Sequence, residues 1–303
     1  MDAMLVTSLC GGILRDRQAQ DRGPVTRLIG ASHLWSSAGF IGLNVGSAAM
    51  MRNARYALAF AGLVLAQVAL ARAAEPVDLL LALAMDVSRS MDQPKFLLQR
   101  EGYAAAISNP EVLNAIKSGA HQKIAVNFID WSGPGQQQLV IGWSVIDGAA
   151  AARHFGDLIF EAPRSFYNST AIGDGIDFAA AQLTRAPFEA ERRTIDVSGD
   201  GTNNSGRDPQ FARDQAVGKS INVNGLVILT DIQLSRNPPH TNPPGGLEKY
   251  YRENVIGGPG SFVMVAEDFS SFGRAMVKKL IAEIATAPAP RRSALVGQYA
   301  PRP

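Results

Sequence analysis

The chain has 303 residues, of which 46% are hydrophobic and 18% are charged, enough apolar content for one sizeable core with appended segments. The formal net charge of +2 is unevenly placed, because residues 1–73 carry seven arginines and three aspartates and leave 22 basic and 24 acidic residues to the remainder. The basic excess therefore belongs to the leader, and a nucleic-acid-binding surface is not indicated. Cys10 is the only cysteine, so a chain without its leader has neither disulfides nor thiol chemistry.

The leader contains the layout of a secretory signal, displaced from the start of the chain. An arginine pair precedes an apolar run over residues 56–70, and a small-x-small cleavage site ends at Ala73. The run is shorter than the roughly 20 residues of a membrane span. We interpret residues 51–73 as a signal peptide of a periplasmic or secreted bacterial protein, with Met51 as the true start and residues 1–50 as an over-translated or disordered leader. The alternative is an uncleaved anchor that holds the chain at a membrane.

Beyond the leader, apolar strands alternate with helices. Strands are predicted over Val77–Met85, Lys123–Trp131, Gln138–Trp143, Arg193–Ser198, Val223–Leu229 and Ser261–Val265. Helices are predicted over Pro94–Ile107, Ala149–Phe160, Thr170–Leu183, Asp208–Ile221 and Phe269–Ile284. This alternation predicts an α/β fold: a doubly wound, mainly parallel sheet covered by helices on both faces. The short turn-rich loop between the second and third strands predicts a hairpin, and hence one antiparallel edge strand.

Two further segments bound the predicted domain, which we place at residues 76–286. The proline-rich stretch Ser235–Gly246 is predicted to be a loop, since its prolines are unsuited to a helix or a central strand. Residues 287–303 have the composition of a disordered tail.

Three polar clusters fall where predicted strands end or helices begin. Asp86, Ser88 and Ser90 lie in "DVSRSMD", Thr170 lies in "YNSTAIGDG", and Asp200 lies in "SGDGTNN". In open α/β sheets ligands bind beyond the carboxyl ends of the strands, and a hard cation such as Mg²⁺ prefers oxygen ligands. Each cluster alone has an ordinary alternative as a helix cap or a turn. Their occurrence together, each at an element boundary, predicts a divalent-metal site.

The five residues in this order resemble the metal-ion-dependent adhesion site (MIDAS) of the von Willebrand factor type A (vWA) domain, a Rossmann-like fold. The resemblance implies that Ser88, Ser90 and Thr170 offer hydroxyls, and that Asp86 and Asp200 hold the metal largely through bound waters. It implies Mg²⁺, with Mn²⁺ or Ca²⁺ as alternatives, and a protein partner whose acidic residue completes the coordination. The segments "LQREGYAAAI" and "YYRENVIGGPGSF" also resemble an exported bacterial vWA-like family catalogued as domain of unknown function 1194, a name that supplies no activity.

Two other functions stay open. The "GDGTNN" stretch resembles the last motif of haloacid-dehalogenase-type phosphatases, which would make Asp86 a phosphoryl-accepting nucleophile. That chemistry needs a second acid two residues later, where this chain has Ser88, and its final motif acid is replaced by Asn204. We therefore expect no enzymatic activity. The remaining alternative is a scaffold subunit whose metal only braces three loops, and the fold alone cannot decide between these functions.

A few other polar residues attract attention without forming a motif. Asp130 is interpreted as a turn cap, and His121, His154 and His240 as surface residues without metal-ligand spacing. The pair Tyr250-Tyr251 has two open interpretations, either packing a loop or lining a partner surface.

Overall fold

The computed structural model describes residues 74–231 and 235–285, so the predicted leader, signal peptide and tail lie outside the described residues. The strands are β1 (Glu75–Pro76), β2 (Leu80–Asp86), β3 (Ile124–Trp131), β4 (Gln137–Ile146), β5 (Phe188–Glu189), β6 (Arg193–Gly199), β7 (Asn222–Ile228) and β8 (Val263–Ala266). The helices are α1 (Gln93–Ile107), α2 (Pro110–Lys117), α3 (Ala149–Glu161), α4 (Ile172–Thr184), α5 (Pro209–Gly218), α6 (Pro238–Thr241), α7 (Leu247–Asn254) and α8 (Phe272–Ala285).

The central sheet has the strand order β4-β3-β2-β6-β7-β8. Its neighbouring strands are parallel except for β3 and β4, which form an antiparallel hairpin at one edge. The predicted α/β fold, with a mainly parallel sheet and one antiparallel edge strand, is therefore confirmed. A short parallel pair of β1 and β5 forms a separate two-stranded sheet.

The core lies on both faces of this sheet. Every residue of β2 is buried, and its side chains alternate between two apolar clusters. Leu81 and Leu83 belong to the cluster that includes residues of α1, α2, α3 and α8. Leu80 and Ala82 belong to the cluster that includes residues of α4, α5 and α7. A parallel strand covered on both faces requires a continuous apolar run, which explains the sequence of β2.

The structure differs from the predicted elements in three helices. The sequence pattern gave no prediction for α2 or α7, each of only eight residues, because so short a segment shows little periodicity. The prediction that Ser235–Gly246 contains no helix is wrong, since Pro238–Thr241 forms a single turn. Its prolines occupy the first turn of the helix, where the missing N–H would have no intrahelical partner.

No helix within residues 74–231 and 235–285 combines the length and the apolar character needed to cross a membrane.

Candidate metal centre

The candidate centre lies at the point where the strand order reverses. From β2 the chain places β3 on one side, and it later places β6 on the other side. Asp86 is the last residue of β2, and Asp200 directly follows β6. Since β2 and β6 are parallel neighbours, their carboxyl ends open the crevice in which doubly wound sheets bind ligands.

The structure brings the five predicted side chains together around this crevice. The Ser90 hydroxyl donates to Asp200 Oδ1 at 2.5 Å, and Ser88 Oγ lies 3.2 Å from Ser90 Oγ. The Thr170 hydroxyl donates to Ser88 Oγ at 3.1 Å. The backbone N–H of Ser88 donates to Asp86 Oδ1 at 2.6 Å. Three hydroxyls and two carboxylates from distant parts of the chain thus form one continuous cluster.

Asp86 and Asp200 are fully buried, yet each has a carboxylate oxygen, Oδ2, without a hydrogen-bond partner among the described residues. Burial, reinforced by the nearby charge of Asp200, raises the pKa of Asp86 to about 8. Burial also raises the pKa of Asp200, against the opposing effects of Ser90 and of Lys95, whose Nζ lies 3.6 Å from Asp200 Oδ2. A buried carboxylate without a compensating positive charge is costly. The acid pair is therefore short of positive charge.

Arg164 holds the loop that carries the two serines. Its Nη2 donates to the carbonyls of Val87 at 2.7 Å and Ser88 at 2.5 Å, and its Nη1 donates to the carbonyl of Met91 at 2.6 Å. Three backbone carbonyls between residues 87 and 91 thus accept hydrogen bonds from one guanidinium. These bonds fix the backbone from which the Ser88 and Ser90 hydroxyls project.

The capping alternative does not describe this loop, because α1 is capped by another residue. Asp92 is the N-cap of α1, and its carboxylate accepts from the Lys95 backbone N–H at 3.0 Å. The polar side chains before Asp92 are consequently not needed by the helix.

Thr170 likewise does not cap the helix that follows it. The backbone N–H of Ile172, the first residue of α4, donates instead to Asn203 Oδ1 at 2.7 Å. The Thr170 N–H donates to Asn204 Oδ1, and the Asn204 N–H donates to the Thr170 carbonyl, both at 2.9 Å. The two asparagines of "GDGTNN" therefore position the Thr170 loop, and the threonine hydroxyl stays available to the cluster.

The interpretation of His240 as a surface residue is wrong. Its side chain is only 8% exposed, with Nε2 3.4 Å from Thr170 Oγ1 and Nδ1 3.2 Å from Thr202 Oγ1. A Cβ on Gly201 would come within 2.2 Å of Nε2, so only glycine allows this close approach. Burial lowers the pKa of His240, which favours the neutral imidazole. The proline-rich segment around His240 has neither helical nor strand periodicity, so the sequence did not indicate that His240 would be buried.

The interpretation of Asp130 as a turn cap is also wrong. Asp130 is fully buried, and both its carboxylate oxygens accept from Arg100 Nη2, at 3.0 and 2.9 Å. Its Oδ2 also accepts from the backbone N–H of Ser165 at 3.2 Å. Asp130 therefore links β3 and α1 to the loop that leads to Thr170.

The remaining singled-out residues are placed as follows. His121 and His154 are exposed, as predicted. Tyr251 is fully buried, and the Tyr250 hydroxyl accepts from the Asn203 backbone N–H at 3.0 Å. Of the two interpretations of the tyrosine pair, the structure therefore favours loop packing.

Within residues 74–231 and 235–285, no group of three or more His, Cys, Asp or Glu side chains is arranged to hold a metal ion. The candidate centre would be a different kind of site, because three of its five predicted side chains offer hydroxyl groups.

The chain belongs to the family described as Protein of unknown function (DUF1194), whose model matches residues 76–288. No protein with a curated description matches the chain in sequence.

Solved structures similar to this chain include three from diverse organisms. The pilus adhesin SpaC from Lactobacillus rhamnosus GG is 14% identical, with a TM-score of 0.50 and coverage of 68% of this chain and 31% of SpaC. Proximal thread matrix protein 1 from the mussel byssus is 14% identical, with a TM-score of 0.49, and the match covers 70% of this chain and 48% of that protein. A von Willebrand factor type A protein from Catenulispora acidiphila is 14% identical, with a TM-score of 0.47, and the match covers 69% of this chain and 43% of that protein. The match spans less than half of each of these structures, and identities at this level show the fold alone.

Proposed function

We propose that this chain is an exported protein-binding domain that depends on a divalent metal. Asp86, Ser88, Ser90, Thr170 and Asp200 would hold Mg²⁺, or Mn²⁺ or Ca²⁺ in its place. When bound, the metal supplies an electrophilic centre for the carboxylate of a partner protein. The observation that carries the proposal is the pair of buried carboxylates beside three clustered hydroxyls, each carboxylate with an oxygen that accepts no hydrogen bond from the described residues.

The residues present fit a hard divalent cation. Such ions take oxygen ligands and are commonly held through one or two carboxylates, with water completing the shell. Ser88 Oγ lies 3.2 Å from Ser90 Oγ and 3.1 Å from Thr170 Oγ1, so three neutral oxygens that could bind a cation are close together. The two buried acids supply the negative charge. Neutral direct ligands would leave more of the cation's charge to attract an incoming anion.

The chain's own side chains prepare the site in three ways. Arg164 and Asn204 fix the loops that carry the hydroxyls. The sheet buries the acids away from bulk water, which strengthens their electrostatic interactions. Lys95, whose Nζ lies 3.6 Å from Asp200 Oδ2, balances part of the negative charge.

Calorimetric titration with Mg²⁺ tests the metal centre. We expect the wild-type chain to bind one ion, and Asp86→Ala to abolish binding, with Asp157→Ala as a control because Asp157 is an exposed acid on α3. Equal Mg²⁺ affinity in the wild type and Asp86→Ala would refute the site.

Partner capture from periplasmic extract, with and without chelator, tests the recognition role. Thr170→Ala should weaken capture while leaving the fold intact, because it removes one hydroxyl and one methyl group from a loop residue that belongs to neither apolar cluster. Capture that responds neither to the chelator nor to Thr170→Ala would exclude an adhesion role. Turnover of a generic phosphate ester that is lost in Asp86→Asn would instead favour the phosphohydrolase.

A further inference from the structure

A cleft of about 600 Å³ opens directly beside the candidate metal centre. Ser90, Thr170 and His240 contribute to its lining, so the cleft reaches the hydroxyl cluster. Tyr167, which is 53% exposed, also lines it. Its size suits a short stretch of a partner chain rather than a single side chain.

The lining of this cleft is positively charged. Its cationic residues are Arg89, Lys95 and Arg236, and Asp92 is the acidic residue among the described residues that line it. The Asp92 carboxylate is already engaged as the cap of α1. The chain after residue 73 has more acidic than basic residues, so this concentration of positive charge is local.

The two arginines are the groups available to a ligand. Lys95 already donates to the Ser90 carbonyl at 3.2 Å and lies near the buried acid pair. Arg89 and Arg236 are exposed, and neither guanidinium has an ion-pair partner in the part of the chain that the structure describes. A guanidinium presents paired N–H donors that match a carboxylate.

We infer that the segment bound in this cleft is an acidic stretch of a partner protein, with a second carboxylate held by Arg89 and Arg236 next to the one presented to the metal. The inference rests on the proposed function, which supplies the first carboxylate. Exposed ion pairs contribute modestly to affinity but strongly to selectivity and association rate. Because of the second contact, a partner segment with two acidic residues should bind more tightly than a segment with one.

The test uses labelled synthetic peptides of glycine and serine, identical except for one aspartate or two aspartates separated by two residues. Fluorescence anisotropy in millimolar Mg²⁺ and low salt should show tighter binding of the two-aspartate peptide by about three- to tenfold. The double variant Arg89→Gln/Arg236→Gln should remove this difference. Arg153→Gln, an exposed arginine on α3, should preserve it. Circular dichroism verifies that the variants fold.

Three outcomes would overturn the inference: equal binding of the two peptides, a preference that survives in the double variant, or no binding of the two-aspartate peptide. Tighter binding of anionic vesicles or single-stranded nucleic acid than of the peptide would also overturn it. The proposed function fails in a different way, namely if binding of both peptides is unchanged by chelator and by Asp86→Ala.

Discussion

In the metal-free chain, the raised pKa of Asp86 makes the free energy of unfolding depend on pH. Because the pKa of Asp86 is raised to about 8 in the folded state, the folded protein holds a proton that the unfolded chain releases near its ordinary value of about 4. The stability gained from this proton is fully present below about pH 4, and it is lost as the pH rises through about 8. The difference between these two pKa values lowers the free energy of unfolding by at most about 3 to 4 kcal/mol between about pH 5 and about pH 8.

Asp86→Asn should remove this loss. Asparagine keeps an oxygen to accept the Ser88 N–H, now bonded to Asp86 Oδ1 at 2.6 Å, but it carries no charge. We therefore expect the chelator-treated variant to be more stable than the wild type near pH 8 and similar to it near pH 5.

Urea unfolding of both proteins, followed by circular dichroism in chelator, measures the difference. Other groups that titrate, such as Asp196, whose pKa burial raises to about 7, are present in both proteins and cancel. Asp157→Asn serves as the control for removing an exposed acid. A wild type and an Asp86→Asn variant that lose the same stability between about pH 5 and about pH 8 would refute the reasoning.

Further predictions concern the supports of the site and the chain terminus. Arg100→Met leaves its buried carboxylate partner unpaired and should cost about 3 to 5 kcal/mol in urea unfolding, whereas Arg153→Met should cost little. His240→Ala should weaken Mg²⁺ binding about fivefold, the equivalent of one ordinary hydrogen bond of about 1 kcal/mol. That effect should vanish in a Thr170→Ala background, and calorimetry that finds additive losses would exclude the contact as its cause. If the chain is exported, N-terminal sequencing of the protein from a periplasmic fraction should find a mature terminus near Ala74, and a membrane-bound product that retains residues 51–73 would show an anchor instead.

The sequence predicts the sheet and the strand-end residues because both follow from local rules. A strand covered on two faces must be apolar throughout, and "LLALAM" before Asp86 meets that requirement. The carboxyl ends of parallel strands share one edge, so Asp86 and Asp200 are expected near each other although 114 positions separate them. These rules need no knowledge of side-chain packing.

The residues that position the loops of the site could not be predicted in the same way. Arg164 binds carbonyls more than 70 positions away, and His240 approaches Thr170 across 70 positions. Neither residue lies in a periodic segment or a recognisable motif, and their contacts are fixed by how the loops pack after the sheet has formed. The partnership of Asp130 with Arg100 similarly depends on α1 lying against the sheet, which a turn-like local sequence does not reveal.

The charge balance of the buried acids indicates why a divalent ion suits the centre. Elsewhere in the described chain, Asp130 has Arg100 at 2.9 Å, and Asp196 has Lys279 at 2.8 Å. Among the described residues, the acid pair at the ends of β2 and β6 has one ion-pair partner within 4 Å, Lys95, at 3.6 Å from one of its two carboxylates, while Arg164 lowers the pKa of Asp86 from a greater distance. A divalent ion would favour the ionised form of Asp86 and would supply the positive charge that the pair lacks when both acids are ionised. A monovalent ion would supply only half of the charge of a divalent ion, and it would attract a partner's carboxylate less strongly.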